Sequence, residues 1–197
     1  MEELGLTPME PLDVGAASST SELLRGMSRT AFTGRSLGEA ADVMEAMLRD
    51  DCWVVMTLSG AMTMAGMTPL IRETIARGWV QCIVSTGALV GHGMVEDLGM
   101  VHYKHDPSVS DERYFSLRLN RVYDVLEPEQ NLDELEERVR AVFARLADVA
   151  GGALGSWELL RALGEGLGGQ GVLQDAAAAG VPVFIPAFTD SELGLDL

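Results

Sequence analysis

The chain has 197 residues, 47% hydrophobic and 22% charged, and carries a formal net charge of −16 at pH 7. That length supports one full core without disulfide or metal staples, and the acidity disfavours nucleic acid and anionic membranes while attracting polycations. No apolar run approaches membrane-spanning length, and Met1-Glu2-Glu3-Leu4 lacks the basic and apolar regions of a signal peptide, so a cytoplasmic protein is expected.

Residues 1–30 are expected to form an N-terminal arm. A Pro/Gly/Ser-containing lead runs to about Thr20, and a short amphipathic helix from Ser21 carries Leu23, Leu24 and Met27 on one side. Residues 31–197 read as one α/β unit. Ser36 with Glu39 three positions later matches a capping box, heading a helix with Ala40, Val43, Met44 and Met47 as its apolar stripe.

Two apolar runs follow, Cys52 to Leu58 and Val80 to Val84, separated by a helical pattern through Met62, Met67, Ile71 and Ile75. This is the signature of a βαβ unit with parallel strands, in which Cys52 and Cys82 are expected to be buried core thiols. The first run closes in Ser59-Gly60 and the second in Ser85-Thr86-Gly87-Ala88. Ligands of open α/β sheets lie beyond the carboxyl ends of the strands, where glycine admits close backbone approach and hydroxyls meet phosphate or ribose. The two stretches therefore read equally as the rims of a nucleotide cleft or as ordinary turns with capping hydroxyls.

Further on, Met94 to Met100 is expected to be a short helix. His102 to Asp111, with Lys104 and His105, is expected to be a solvated loop rather than a metal site, since no diagnostic ligand spacing accompanies it. No metal ligands are assigned. Tyr114 to Tyr123 reads as an extended excursion stopped by Pro128, and the charge run Glu127 to Glu137 as a solvated helix face. A long amphipathic helix is predicted from Asn131 to about Ala150, two shorter ones from Ser156 and over Val172 to Ala179, and a last buried strand over Val181 to Ile185.

The segment beyond that helix, Pro182-Val183-Phe184-Ile185-Pro186-Ala187-Phe188-Thr189-Asp190 with Leu193-Gly194, resembles the deoxyhypusine synthase family. Ser59-Gly60 through Ile75, Val80 through Ala88, Asn120 to Tyr123, and Ser156-Trp157 align with the same family in order. The Ser85-Thr86-Gly87-Ala88 strand end and His92 are closest to its bacterial branch, some of whose members make homospermidine. The resemblance implies a Rossmann-like parallel sheet with flanking helices, an incomplete half of the family's fold. It also implies NAD as cofactor, a polyamine such as spermidine as substrate, and aminobutyl transfer through a lysine-bound imine.

By position, the resemblance places Ser59, Gly60, Ala61, Thr86, Gly87 and Ala88 at NAD, and Asp190 beside both nicotinamide and polyamine. Gly91 and His92 occupy positions where other members carry glutamates, with Glu96 nearby. His92 replaces a carboxylate in polyamine binding or caps the following helix. A second family aspartate is Leu195 here, with Asp196 one place on. The family's catalytic lysine has no counterpart: Lys104 is the sole lysine and does not match. The implied protein is one subunit of a split enzyme whose partner chain supplies the lysine, in a hetero-oligomer such as a heterotetramer. The alternatives are a catalytically inactive regulatory subunit joined to a full-length homologue, or a truncated fragment.

Overall fold

The structure is a computed structural model that describes residues 4–150 and 153–196, with the side chains of 147–150, Asp190 and Asp196 outside the description. Backbone contacts divide the chain into two units, 1–53 and 54–197. The first pairs α1 (Thr20–Met27) with α2 (Phe32–Arg49). Ser19 caps α1, its hydroxyl accepting from the Glu22 N–H. Ser36 is not a cap. The helix already begins at Phe32, and the Ser36 hydroxyl donates back to the Phe32 carbonyl from inside it. Gly38 is where the pair closes, since a Cβ there would meet the backbone of Ser28 and Leu24.

In the second unit β1 (Val55–Thr57) leads through a 3-10 turn, Gly60–Met62, and a π-turn, Thr63–Met67, into α3 (Thr68–Ala76) and then β2 (Cys82–Val84). The apolar pattern from Met62 to Ile75 is thus only partly regular helix. Gly66 at φ 80° breaks the first half, and Pro69 opens the second. A second π-turn, Leu89–Gly93, precedes α4 (Met94–Asp97). Next come β3 (Tyr103–Lys104), α5 (Asp111–Ser116), β4 (Leu119–Val122) and β5 (Val125–Pro128). The chain continues through α6 (Glu129–Ala150), α7 (Ser156–Gly166), α8 (Val172–Ala179), β6 (Val183–Phe184) and α9 (Glu192–Asp196).

Strands β1, β2 and β6 form a parallel sheet in that order, with Ile83 of the central strand opposite both Met56 and Val183 and fully buried. Ile71 and Ile75 of α3, Leu135 and Val139 of α6, Leu160 and Leu163 of α7 and Leu173 of α8 join the same core. This is the expected α/β arrangement, with helical cover on a parallel sheet. An Arg72–Asp175 ion pair of 2.6 Å ties α3 to α8. Gly180 at φ 70° ends α8 in the left-handed conformation that glycine adopts without strain.

Three expectations fail locally. Cys52 lies before β1 and is exposed, whereas Cys82 is buried and its thiol pushed up by that burial. Tyr114 is in a helix, not a strand: it is buried in α5, its hydroxyl donating to the Asp106 carbonyl at 2.9 Å. Glu127 is not on a solvated helix face, because α6 begins only at Glu129. It belongs instead to β5, the middle strand of an antiparallel sheet ordered β3-β5-β4. Among the described residues no helix is long and apolar enough to cross a membrane.

Candidate functional site

The carboxyl ends of β1 and β2 are bound to each other before any ligand is considered. The Gly60 N–H donates to the Thr86 hydroxyl at 3.0 Å, and the Ser85 hydroxyl donates to the Leu58 carbonyl at 3.1 Å. Gly60 packs so closely on the backbone of Ala88 and Leu89 that a Cβ would overlap both, and Gly87 packs likewise on Ser191 at the start of α9. Glycine is required at both positions by close approach. The expected rims, Ser59-Gly60-Ala61 and Thr86-Gly87-Ala88, therefore come together, and Ser59 and Thr86 line a shallow recess over the strand ends with Thr57 and Val84. The Ser85 hydroxyl donates into the β1 loop and that of Thr86 accepts from it, while Ser59 and Thr86 are both exposed at the lip. A small-residue lip with an exposed hydroxyl fits the phosphate or ribose of a dinucleotide. Asp190 ends the 3-10 turn Phe188–Asp190 beyond β6, and Asp196 lies in α9. The side chains of both lie outside the described residues.

The second constellation is a buried ionic cluster. His92 comes from the π-turn, His102 from the lead into β3, and Glu127 from β5. His92 Nδ1 donates to Glu127 Oε2 at 2.5 Å, and His102 Nε2 donates to Glu127 Oε1 at 3.1 Å. His102 Nδ1 donates in turn to Glu96 Oε1 at 3.2 Å, and Glu96 Oε2 accepts from the Thr68 hydroxyl at 2.9 Å. The Glu127 side chain is 0% exposed and that of His102 6%.

Electrostatics follow from this contact set. Burial pushes Glu127 up, but its hydrogen bonds to His102 and His92 outweigh that and hold it below the ordinary glutamate range. His92 is raised by its hydrogen bond to Glu127 against the cost of burial. For His102 burial acts downward, and the bonds and charges of Glu127 and Glu96 reverse it, leaving the imidazole raised. A recess of about 580 Å³ shares Glu96 and His102 with this cluster and adds Met64, Tyr103, Lys104 and Asp124.

The solvated-loop expectation for His102 is overturned by this burial. His92 and Glu96, both expected at the substrate, do meet one group of residues, though neither touches the strand-end rims among the described hydrogen bonds. Sequence reasoning missed Glu127 and His102. A usable signal was present: Val125-Leu126-Glu127-Pro128 is a short apolar run with one acid, ended by proline, which describes a strand better than a helix face.

The profile of the family described as Deoxyhypusine synthase matches residues 22–197. The chain is 35% identical over 197 residues to Probable deoxyhypusine synthase 2 of Methanosarcina mazei, covering 97% of this chain and 56% of that protein. It is 34% identical over 178 residues to Probable deoxyhypusine synthase 1 of Archaeoglobus fulgidus, covering 90% and 58%. A Deoxyhypusine synthase-like protein of Chlorobaculum tepidum is 32% identical over 182 residues. The chain thus spans little more than half the length of these curated relatives. In fold it is similar to the structure titled "Crystal Structure of a putative deoxyhypusine synthase from Entamoeba histolytica", with a TM-score of 0.67 at 15% identity, covering 95% of this chain and 65% of that one.

Proposed function

The chain belongs to the deoxyhypusine synthase family, and on that footing we propose that it serves NAD-dependent transfer of an aminobutyl group from spermidine or a related polyamine, as one subunit of a split enzyme. The observation that carries this reading is the pair of strand ends, Ser59-Gly60 and Thr86-Gly87. They are locked together at the edge of a parallel sheet where such folds present a dinucleotide.

NAD, when bound there, supplies a hydride acceptor for the amine and a donor for the final imine. The chain's own residues hold and orient. Ser59 offers a hydroxyl at the lip, and the glycines let the backbone close on the cofactor. Glu96 and Asp124 are described carboxylates at the recess placed to hold polyamine ammonium groups by charge-assisted hydrogen bonds, with Asp190 assigned to the same work by its motif position. The formal charge of −16 draws a polycation toward the chain. Leu195 in place of the second aspartate leaves Asp196 as its substitute.

A nucleophilic lysine must be desolvated to present a free amine near neutral pH. Lys104 is exposed on β3, so it does not meet that requirement, and we assign the lysine to a second polypeptide. The acceptor is a protein lysine or a small amine such as putrescine. Leu195, 77% exposed, favours a second reading, in which this chain is an inactive regulatory subunit.

The test is a tagged pull-down from the native organism, with mass spectrometry of the co-purifying chains and an assay for NAD-dependent spermidine cleavage. A second chain bearing a lysine-containing C-terminal half, together with activity abolished by Asp190→Ala, supports the split enzyme. Activity indifferent to Asp190→Ala supports the regulatory subunit.

A further inference from the structure

We propose that His92, His102 and Glu127 form a binding site for a divalent first-row transition-metal ion, with Glu96 as the positioning residue behind His102. This inference does not require aminobutyl transfer, though it shares Glu96 with that reading, and its ligand atoms are distinct from those of the strand-end rims.

Three observations carry it. One ligand atom from each of the three side chains lies within 4.8 Å of the other two. Tetrahedral sites with bonds of about 2.0–2.2 Å hold their ligand atoms roughly 3.3–3.5 Å apart, so an ion would replace the two hydrogen-bond protons and open the 2.5 and 3.1 Å imidazole–carboxylate contacts by about 1 Å or less while the widest separation closes. Two imidazoles with one carboxylate are a ligand set found for zinc and for ferrous iron, with positions left open for water or another donor.

The second observation is the orientation of His102. Its ring nitrogens face carboxylate oxygens on opposite sides, Glu96 at 3.2 Å and Glu127 at 3.1 Å. Glu96 therefore holds the ring from the Nδ1 side and leaves Nε2 turned toward Glu127, where an ion bound by that carboxylate would meet it. That is the carboxylate–histidine–metal relay that fixes ring orientation and raises ligand basicity. Thr68 extends the relay by donating to the far oxygen of Glu96.

The third is burial. Glu127 is 0% exposed and both of its oxygens are taken by imidazole. An ion seated between these three side chains would be shielded from bulk water, as in closed or partly open protein metal sites. His105, the chain's third histidine, takes no part: its ring packs at a tilt against Tyr114.

The experiment uses the full chain, stripped with a chelator and titrated with Zn²⁺ against a chromophoric competitor. One equivalent should bind per chain. His92→Ala and His102→Ala should each weaken binding at least about 100-fold, and Glu96→Gln about 10–100-fold, the range for loss of an outer partner. Because these substitutions touch buried groups, the wild-type chain is also loaded with Co²⁺. Its visible spectrum should show the intense bands of low coordination, and its X-ray absorption should show scattering from imidazole. Glu96→Gln should keep that signature while weakening affinity, which a merely structural role would not predict. Absence of stoichiometric uptake overturns the proposal. So does Zn²⁺ affinity unchanged in the His92→Ala/His102→Ala double variant, or a Co²⁺ signature of oxygen ligands alone in the wild type.

Discussion

Two acids lie buried among the described residues, and their surroundings send them in opposite directions. Glu127, in the middle strand of the antiparallel sheet, has a histidine on each oxygen and is held below the ordinary glutamate range. Asp97, at the end of α4 beside the entry to α8, is 5% exposed, and its Oδ1 has no hydrogen-bond partner. The Val172 N–H donates to its carboxylate, and Gly171 leaves room for it where any Cβ would overlap it. Burial first, and the neighbouring charge of Glu96 second, push Asp97 up to about 7, with Arg72 opposing them. Depth is similar in the two places. Partners decide which acid is ionised at neutral pH.

The sharpest way to break this contrast is to remove the acid that has partners. Glu127→Ala removes the carboxylate that His92 and His102 both meet, leaving His102 only Glu96, and a loss of about 3–5 kcal/mol is expected in urea denaturation of metal-free protein at pH 7. A loss under about 1 kcal/mol would mean that the cluster is wetter than its geometry implies.

Asp97 supplies the next effect, through pH. Between the ordinary carboxylate range near 3.8 and about 7, the native state keeps a proton that the unfolded chain has released. Stability contributed at this position is therefore full below pH 4, falls as pH rises to about 7, and is flat above. A shift of this size corresponds to roughly 4 kcal/mol. Asp97→Asn should remove that slope, so the difference between wild type and variant across pH 4 to 8 is the quantity to measure. Equal slopes would show that Asp97 finds water or another partner.

Gly60→Ala tests the strand-end lock. A Cβ at Gly60 overlaps the backbone of Leu89, whereas one at Gly91 meets nothing within 4 Å. The first should cost about 1–3 kcal/mol and the second about 0.5 kcal/mol or less, both read as shifts in the denaturation midpoint. The smallest effect concerns the ion pair that ties α3 to α8. Arg72→Met keeps the aliphatic stem and should cost about 1 kcal/mol, diminishing in high salt.

How far the sequence reached follows from where each signal lies along the chain. The parallel sheet was legible because Val55–Thr57, Cys82–Val84 and Val183–Phe184 are each apolar runs with their own turn residues beside them. The glycine stop of α8 and the hydroxyl-rich strand ends are equally local. The strands came out shorter than their apolar runs because Cys52 and Trp53 are exposed and precede the first ladder pair, Val55 with Cys82. The ionic cluster was not legible. Its members sit at positions 92, 102 and 127, in the π-turn, the lead into β3 and strand β5, and nothing in the spacing shows that these three segments meet at one point. The charge run misled further, because its first glutamate belongs to a strand and the rest to a helix.

Lys104 is the chain's one ε-amine, and it lines the same recess as His102 and Glu96. An amine-directed fluorophore will therefore place its side-chain label at a single address, beside the ionic cluster and away from the strand-end lip. Quenching there reports on ions and polycations entering the recess. The same probe should stay indifferent to a dinucleotide, so one labelled protein can tell the two kinds of ligand apart in solution.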